Sequence, residues 1–326
     1  MDRLLRDQPR NSSDEVRNVG TQGAMTGTVE PSADDDEREP SSFSTWVLPI
    51  GLFLLTVFTT LWAGAYQTYQ GPVRGPLNFL LTQPETLWRG IPFAGSLLFI
   101  LTTHELGHYV LSKIHRVPAS LPLFIPGPPH FIGTFGAIIR MRGSDMNRRA
   151  LFDIGVAGPL AGFVVAVAVL VVGLSLSTVV DRTATYGLHL GEPLLLQLMS
   201  WLVIGPVPPE SDVVLHPIAF AAWFGLFVTS LNLLPIGQLD GGHVAYALWG
   251  GRQRMMALAF VVILVGLGFI GWPGWFLWAV MAGIWGLGHP PVVDPFTPLG
   301  RGRTIVGWIA LAVLAVTFAP IPFSFH

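Results

Sequence analysis

His104, Glu105 and His108 carry the clearest chemistry in this chain, and they lie inside an apolar run whose upstream part, from Ile91 to Thr102, holds no charge. In a helix, residues four apart share a face, so His104 and His108 can offer imidazole nitrogens to one ion. Glu105 lies about 100° further round, within reach of a water on that ion. This is the His-Glu-x-x-His spacing of zinc hydrolases, with the Glu as general base. Ionisable groups at membrane depth cost about 2.5–3.5 kcal/mol each on insertion scales, so they are seldom idle.

Two imidazoles leave a catalytic zinc short, because such an ion usually takes three protein ligands and keeps one position for water. The chain has no Cys, so the third donor must come from His, Asp or Glu. The stretch from Asn232 to His243 stands out: Pro235 and Gly237 break an apolar run, and Asp240 follows the break. Broken membrane helices often surround ion sites. Asp240 also has a plain reading as the N-cap of a helix starting at Gly241, and His243 is an alternative ligand three residues on.

The elements that must hold these residues follow from the pattern of apolar runs. Residues 1–44 form an acidic, polar tail expected to be disordered and cytoplasmic, with no apolar run that would act as a signal peptide. Spans are expected near 45–66, 91–114, 151–180, 216–234, 255–270, 275–287 and 304–319, the metal motif falling in the second. The runs at 255–270 and 275–287 are short and separated by the turn signal Gly271-Trp272-Pro273-Gly274. Five prolines between 118 and 129 forbid a continuous helix after the second span. Leu121–Ile125 and Phe131–Met141 therefore read as two extended segments of a re-entrant hairpin. Gly155, Gly158 and Gly162 in the third span suit close helix contact, and Asp153 reads as structural. The expected fold is an all-α polytopic membrane protein with about six to seven transmembrane helices and a re-entrant β-hairpin-like element after the second. It divides into the tail (1–44), a membrane-embedded core (45–250) and C-terminal transmembrane helices (251–326).

Composition agrees with a membrane protein: 51% of the 326 residues are hydrophobic and 12% charged, against about 25% charged in soluble domains. A net charge of −2 with no basic, aromatic-laced cluster argues against a nucleic-acid partner. Loops after spans two, four and six carry ten Lys and Arg residues, and the opposite loops carry three. The tail and the motif end of span two are thus expected on the cytoplasmic side, with the plasma membrane of a prokaryote as the expected location. Oligomeric state leaves no signal here.

His104-Glu105-Leu106-Gly107-His108 in one span, and Asn232-x-x-Pro235 followed by Leu239-Asp240-Gly241 in a later one, resemble the site-2 protease family of intramembrane zinc metalloproteases. Gly133-Thr134-Phe135-Gly136-Ala137 and the Gly158-Pro159 region are also similar to that family. The resemblance covers roughly residues 91–250. It implies one Zn2+ per chain on His104, His108 and Asp240, water activated by Glu105, and substrate or oxyanion held by Asn232. It further implies a membrane-anchored protein substrate cut by regulated intramembrane proteolysis. No stretch is long enough for the PDZ or cystathionine-synthase-like domains that some members carry. The competing reading is a metal-binding membrane protein or transporter without peptidase activity. A transporter has little need of a non-ligand carboxylate beside the His pair, so Glu105 discriminates.

Overall fold

The computed structural model describes residues 42–69, 71–141, 146–181, 188–289, 292–294 and 296–325. The expected tail falls outside them except for its last residues, as do Arg142 and Arg182 of the charge asymmetry. Among the described residues the fold is predominantly helical, with three two-stranded antiparallel ladders.

Helix α1 (Ser42–Thr68) leads through the short α2 (Pro76–Thr82) and a 3-10 turn (Pro84–Gly90) into α3 (Ile91–Ile114). Among the described residues, three helical stretches are long and apolar enough to cross a membrane: Trp46–Thr68, Arg148–Ser175 and Asp240–Ile270. At 24 residues, α3 is also about 36 Å long, but the polar motif dilutes its hydropathy. Its Pro92 falls in the first turn, where a missing N–H costs nothing.

After α3 the prolines do what the sequence predicts. Strands β1 (Leu123–Pro126) and β2 (Thr134–Ile138) pair antiparallel, with Leu123 opposite Ile138 and Phe124 opposite Ala137. The second strand is shorter than the expected Phe131–Met141: the chain turns sharply through Gly133 (φ 77°) before it, and beyond Ile138 only an isolated bridge joins Met141 to Ala119. This hairpin lies along α1. The Phe53 and Phe124 rings meet at 5.0 Å, Thr59 Oγ1 donates to Gly133 O at 2.6 Å, and Gln67 Nε2 donates to Phe131 O at 2.5 Å. From Phe53 to Gln67 is about 21 Å of helix.

Helix α4 (Arg148–Ser175) starts on Asn147, whose side chain accepts from Ala150 N. It ends earlier than the expected 180, because Thr178–Asp181 forms β3, paired with β5 (Ser211–Val214). Strand β4 (Leu188–Leu190) pairs with the C-terminal β6 (Phe323–Phe325), and α5 (Leu194–Val203) follows β4. Helix α6 (Pro217–Asn232) then packs with α3 and α4, and α7 (Asp240–Trp249) packs on α4.

The fifth apolar run starts sooner than expected. Helix α7 continues through a 3-10 turn at Gly250–Arg252 into α8 (Gln253–Ile270), so one apolar stretch begins at Asp240 rather than near 255. Helix α7 ends at Gly250 (φ 60°), and the 3-10 turn carries the chain into α8. Helices α9 (Gly274–Trp285) and α10 (Arg301–Thr317) complete the bundle. Buried side chains of α3, α4, α6 and α7 form one core, including Leu97, Ile100, Phe152, Leu170, Trp223 and Leu226. Asp153 is structural as expected. It takes two hydrogen bonds from Arg303, at 2.8 and 2.7 Å, and pairs with His115 Nε2 at 2.9 Å, tying α10 and the end of α3 to α4.

Candidate metal centre

Four helices meet where α3 passes the broken connection between α6 and α7. His104 and His108 project from α3 four residues apart and are buried, and Glu105 beside them is 7% exposed. Asp240 arrives from the first turn of α7. The N-cap of that helix is Leu239, so Asp240 is its first helical residue and its carboxylate reaches across to α3.

The three side chains converge. His104 Nε2 and His108 Nε2 lie 3.1 Å apart, and Asp240 Oδ2 lies 3.3 Å from the first and 3.2 Å from the second. Among the described residues this is the one group of three or more such side chains able to share an ion. A tetrahedral zinc with arms of ~2.0–2.1 Å separates its ligand atoms by about 3.3 Å, so the three donors stand close to three corners of that figure.

The chemistry of the donors fits as well. A carbonyl oxygen only accepts, so the 2.8 Å contact of His108 Nδ1 with Ile154 O fixes the proton on Nδ1. Nε2 then presents a lone pair to the cluster, as orienting partners do for metal-bound histidines. Lone pairs from two imidazoles and a carboxylate face one point, and they repel unless a cation sits between them. Two nitrogens and one oxygen suit zinc and leave a fourth position open.

Helix α4 supplies the wall behind the histidines. A Cβ on Gly158 would sit 2.1 Å from His108 Nε2, and one on Gly162 would sit 3.1 Å from His104 Cβ. One on Gly155 would sit 2.8 Å from His243 Cβ. These glycines, spaced i, i+3 and i+7, form a single helical face. The sequence marks them as a close-packing stripe, and what Gly158 and Gly162 pack against is the two motif histidines, while Gly155 packs against His243. Gly107 lets the α3 and α4 backbones approach closely: a Cβ there would meet Ala157 O at 2.7 Å.

Asn232, the last residue of α6, has its amide nitrogen 3.3 Å from His104 Nε2, on the rim of the donor triangle. His243 stands outside it. Its Nδ1 pairs at 2.7 Å with His289 Nε2, and the His289 ring stacks on Tyr246. The geometry thus gathers His104, His108, Asp240 and Asn232, with Glu105 in the same turn of α3, and turns His243 elsewhere. The Ile154 carbonyl is part of the site that only the fold reveals, since a backbone acceptor leaves no mark in sequence.

Comparison with known proteins points the same way. The model of Peptidase family M50 matches residues 92–270. The chain is 30% identical over 311 residues to "Probable zinc metalloprotease EGY1, chloroplastic" of Arabidopsis thaliana, covering 87% of this chain and 55% of the relative. It is 26% identical over 344 residues to "Probable zinc metalloprotease EGY2, chloroplastic" of the same plant, covering 98% and 60%. To "Probable zinc metalloprotease EGY3, chloroplastic" of Oryza sativa subsp. indica it is 30% identical over 256 residues, 71% of this chain and 42% of the relative. The chain therefore spans about half the length of the curated relatives it matches. Those relatives are chloroplastic plant proteins by name and lend no support to the expected prokaryotic plasma membrane; an integral membrane location is supported by the family and the apolar helices. With more than half its residues matched and both motifs inside the match, the chain belongs to peptidase family M50, the site-2 protease family.

Proposed function

We propose that this protein is an intramembrane zinc metalloendopeptidase that hydrolyses peptide bonds of membrane-anchored protein substrates, the reaction of regulated intramembrane proteolysis. The observation that carries the proposal is the 3.1–3.3 Å triangle of His104, His108 and Asp240 donors, buried in an apolar bundle beside an additional carboxylate. In this reading one Zn2+ per chain is held by His104 Nε2, His108 Nε2 and the Asp240 carboxylate.

Zinc, when bound, supplies a Lewis acid that polarises the scissile carbonyl and acidifies water. Glu105 takes the proton of the attacking water and returns it to the leaving nitrogen, so one C–N bond breaks as a C–O bond forms. The Asn232 amide donates a hydrogen bond to the developing oxyanion. It sits 3.3 Å from His104 Nε2; once that lone pair is engaged, its N–H is left to serve an oxygen at the site. A helical substrate must unwind before its peptide bonds can be attacked. The β2 edge away from β1 offers main-chain groups to an extended segment, by strand addition.

The topology proposed is six to seven crossings, with the hairpin re-entering the membrane beside α1, in a core at 45–250 followed by C-terminal spans at 251–326. The hairpin's contacts along about 21 Å of α1 support re-entry, since that is most of the ~30 Å hydrocarbon depth. The Lys and Arg asymmetry supports the motif end of α3, and the tail at 1–44, lying on the cytoplasmic side. The deciding assay is purified protein with a tagged single-span substrate, comparing wild type, Glu105→Gln and a chelator-treated sample. Cleavage by the wild type alone is expected. Cleavage that persists in Glu105→Gln would overturn the mechanism.

A further inference from the structure

The connection from α6 to α7 decides where Asp240 and Asn232 stand relative to each other. It runs through Leu233–Leu239, and Leu233, Leu234 and Ile236 are all buried. Short backbone bonds fold it: Ile236 N donates to Leu234 O at 2.7 Å, and Leu239 N donates to Ile236 O at 3.1 Å. Glycines let the following helix press against it. A Cβ on Gly241 would lie 1.9 Å from Leu233 O, and one on Gly242 would lie 2.3 Å from Gly237 O. These glycines are tightly packed, which favours a fixed turn over a hinge.

One side chain from outside reaches into this turn. Gln253, the first residue of α8, is 1% exposed. Its amide nitrogen donates to Pro235 O at 3.1 Å and to Leu287 O, beyond the end of α9, at 3.2 Å. A primary amide has two N–H donors, so both are used. Both acceptors are main-chain carbonyls, that of Pro235 buried and that of Leu287 partly buried, and a buried acceptor left unpaired is costly.

We propose that Gln253 is a positioning residue for the metal centre: by bridging Pro235 and Leu287, its side-chain amide fixes the turn that presents Asp240 and Asn232 to the α3 histidines. The proposal rests on the ligand set given above for His104, His108 and Asp240. The partners of the Gln253 amide are Pro235 O and Leu287 O, not the side chains of His104, His108 or Asp240. It acts by holding the backbone from which a ligand projects, and loss of such outer supports lowers metal affinity by roughly 10–100-fold.

The test uses the full-length protein in detergent, with two readouts. One is the zinc dissociation constant by chelator competition; the other is amide hydrogen exchange at residues 233–239 in metal-free protein. Gln253→Met keeps the volume and removes both donors. It is expected to weaken zinc binding at least ~10-fold and to speed exchange in the turn while leaving α1 and the hairpin unchanged. Thr317→Val removes another buried bond, from Thr317 Oγ1 to Val313 O at 2.7 Å in α10, and should change neither readout. Gln253→Asn keeps the amide one methylene short and gives an intermediate result, which serves if the Met variant does not fold. Wild-type zinc affinity and wild-type exchange in Gln253→Met would overturn the proposal, and so would equal zinc losses in Thr317→Val. His104→Ala separates the two layers. Unchanged zinc binding in that variant would overturn the ligand set, whereas the exchange rate of the turn still decides the role of Gln253.

Discussion

Replacing Gly158 by Ala puts a methyl group where the His108 ring now lies. The new Cβ would stand 2.1 Å from His108 Nε2, while ordinary contact begins at 3.4 Å, so the donor atom must retreat by about 1.3 Å. The ring cannot swing aside freely, because its Nδ1 is held at 2.8 Å by Ile154 O. Metal–ligand distances are specified to within about 0.2 Å, so a displacement of this size removes one of three ligands. Zinc affinity should fall by more than the ~10–100-fold that loss of an outer support costs. Cleavage should fall with it by at least ~100-fold, the usual effect of a 1 Å misplacement. The helix itself gains from the change, since Ala is favoured over Gly in a helix interior by roughly 0.5–1 kcal/mol. The variant should therefore stay folded and lose its metal. Two neighbours give the scale. Gly162→Ala would meet His104 Cβ at 3.1 Å, a few tenths too close, and should cost zinc binding only a few-fold. Gly155→Ala would meet His243 Cβ at 2.8 Å, a side chain outside the donor triangle, and should affect stability more than zinc. Zinc content and chelator competition on purified variants, with circular dichroism for folding, measure all three. A folded Gly158→Ala protein with wild-type zinc affinity would refute this account of the site.

Glu105→Gln should keep zinc and reduce cleavage by about 100- to 10,000-fold, the range for loss of a general base; single-turnover assays on a tagged substrate would check it. Asn232→Ala should retain zinc and lower kcat by about 100- to 1,000-fold with KM little changed, as loss of an oxyanion donor does; an equal rise in KM would assign Asn232 to substrate binding instead. Asp153→Asn weakens the contacts with Arg303 and His115 and should cost about 1–2 kcal/mol of stability. Thermal unfolding in detergent would show it, with zinc affinity within a few-fold of wild type.

By itself the sequence determined which residues can do chemistry here and on what kind of element they sit. The four-residue spacing of His104 and His108 puts them on one helical face whatever surrounds them, and Glu105 follows by the same geometry. The break at Pro235 and Gly237 marks Asp240 because proline and glycine act on their own backbone. The prolines between 118 and 129 exclude a helix for the same local reason, and the structure has paired strands there. Tertiary structure decided everything that depends on how helices cross. Whether Asp240 caps its helix or meets the histidines turns on the placement of α7 against α3 and α4, and distances of 3.1–3.3 Å between residues 104, 108 and 240 encode no periodicity. The same holds for Ile154 O, which fixes the His108 tautomer, and for the Gln253 bridge between two carbonyls far apart in the chain. The join of α7 to α8 is likewise tertiary: α7 ends at Gly250, and a 3-10 turn leads straight into α8, so one apolar stretch runs from Asp240 to Ile270. Gly155, Gly158 and Gly162 lie between the two kinds of information. Their spacing announces a close contact, and only the packed helices show that the histidine rings are what they leave room for.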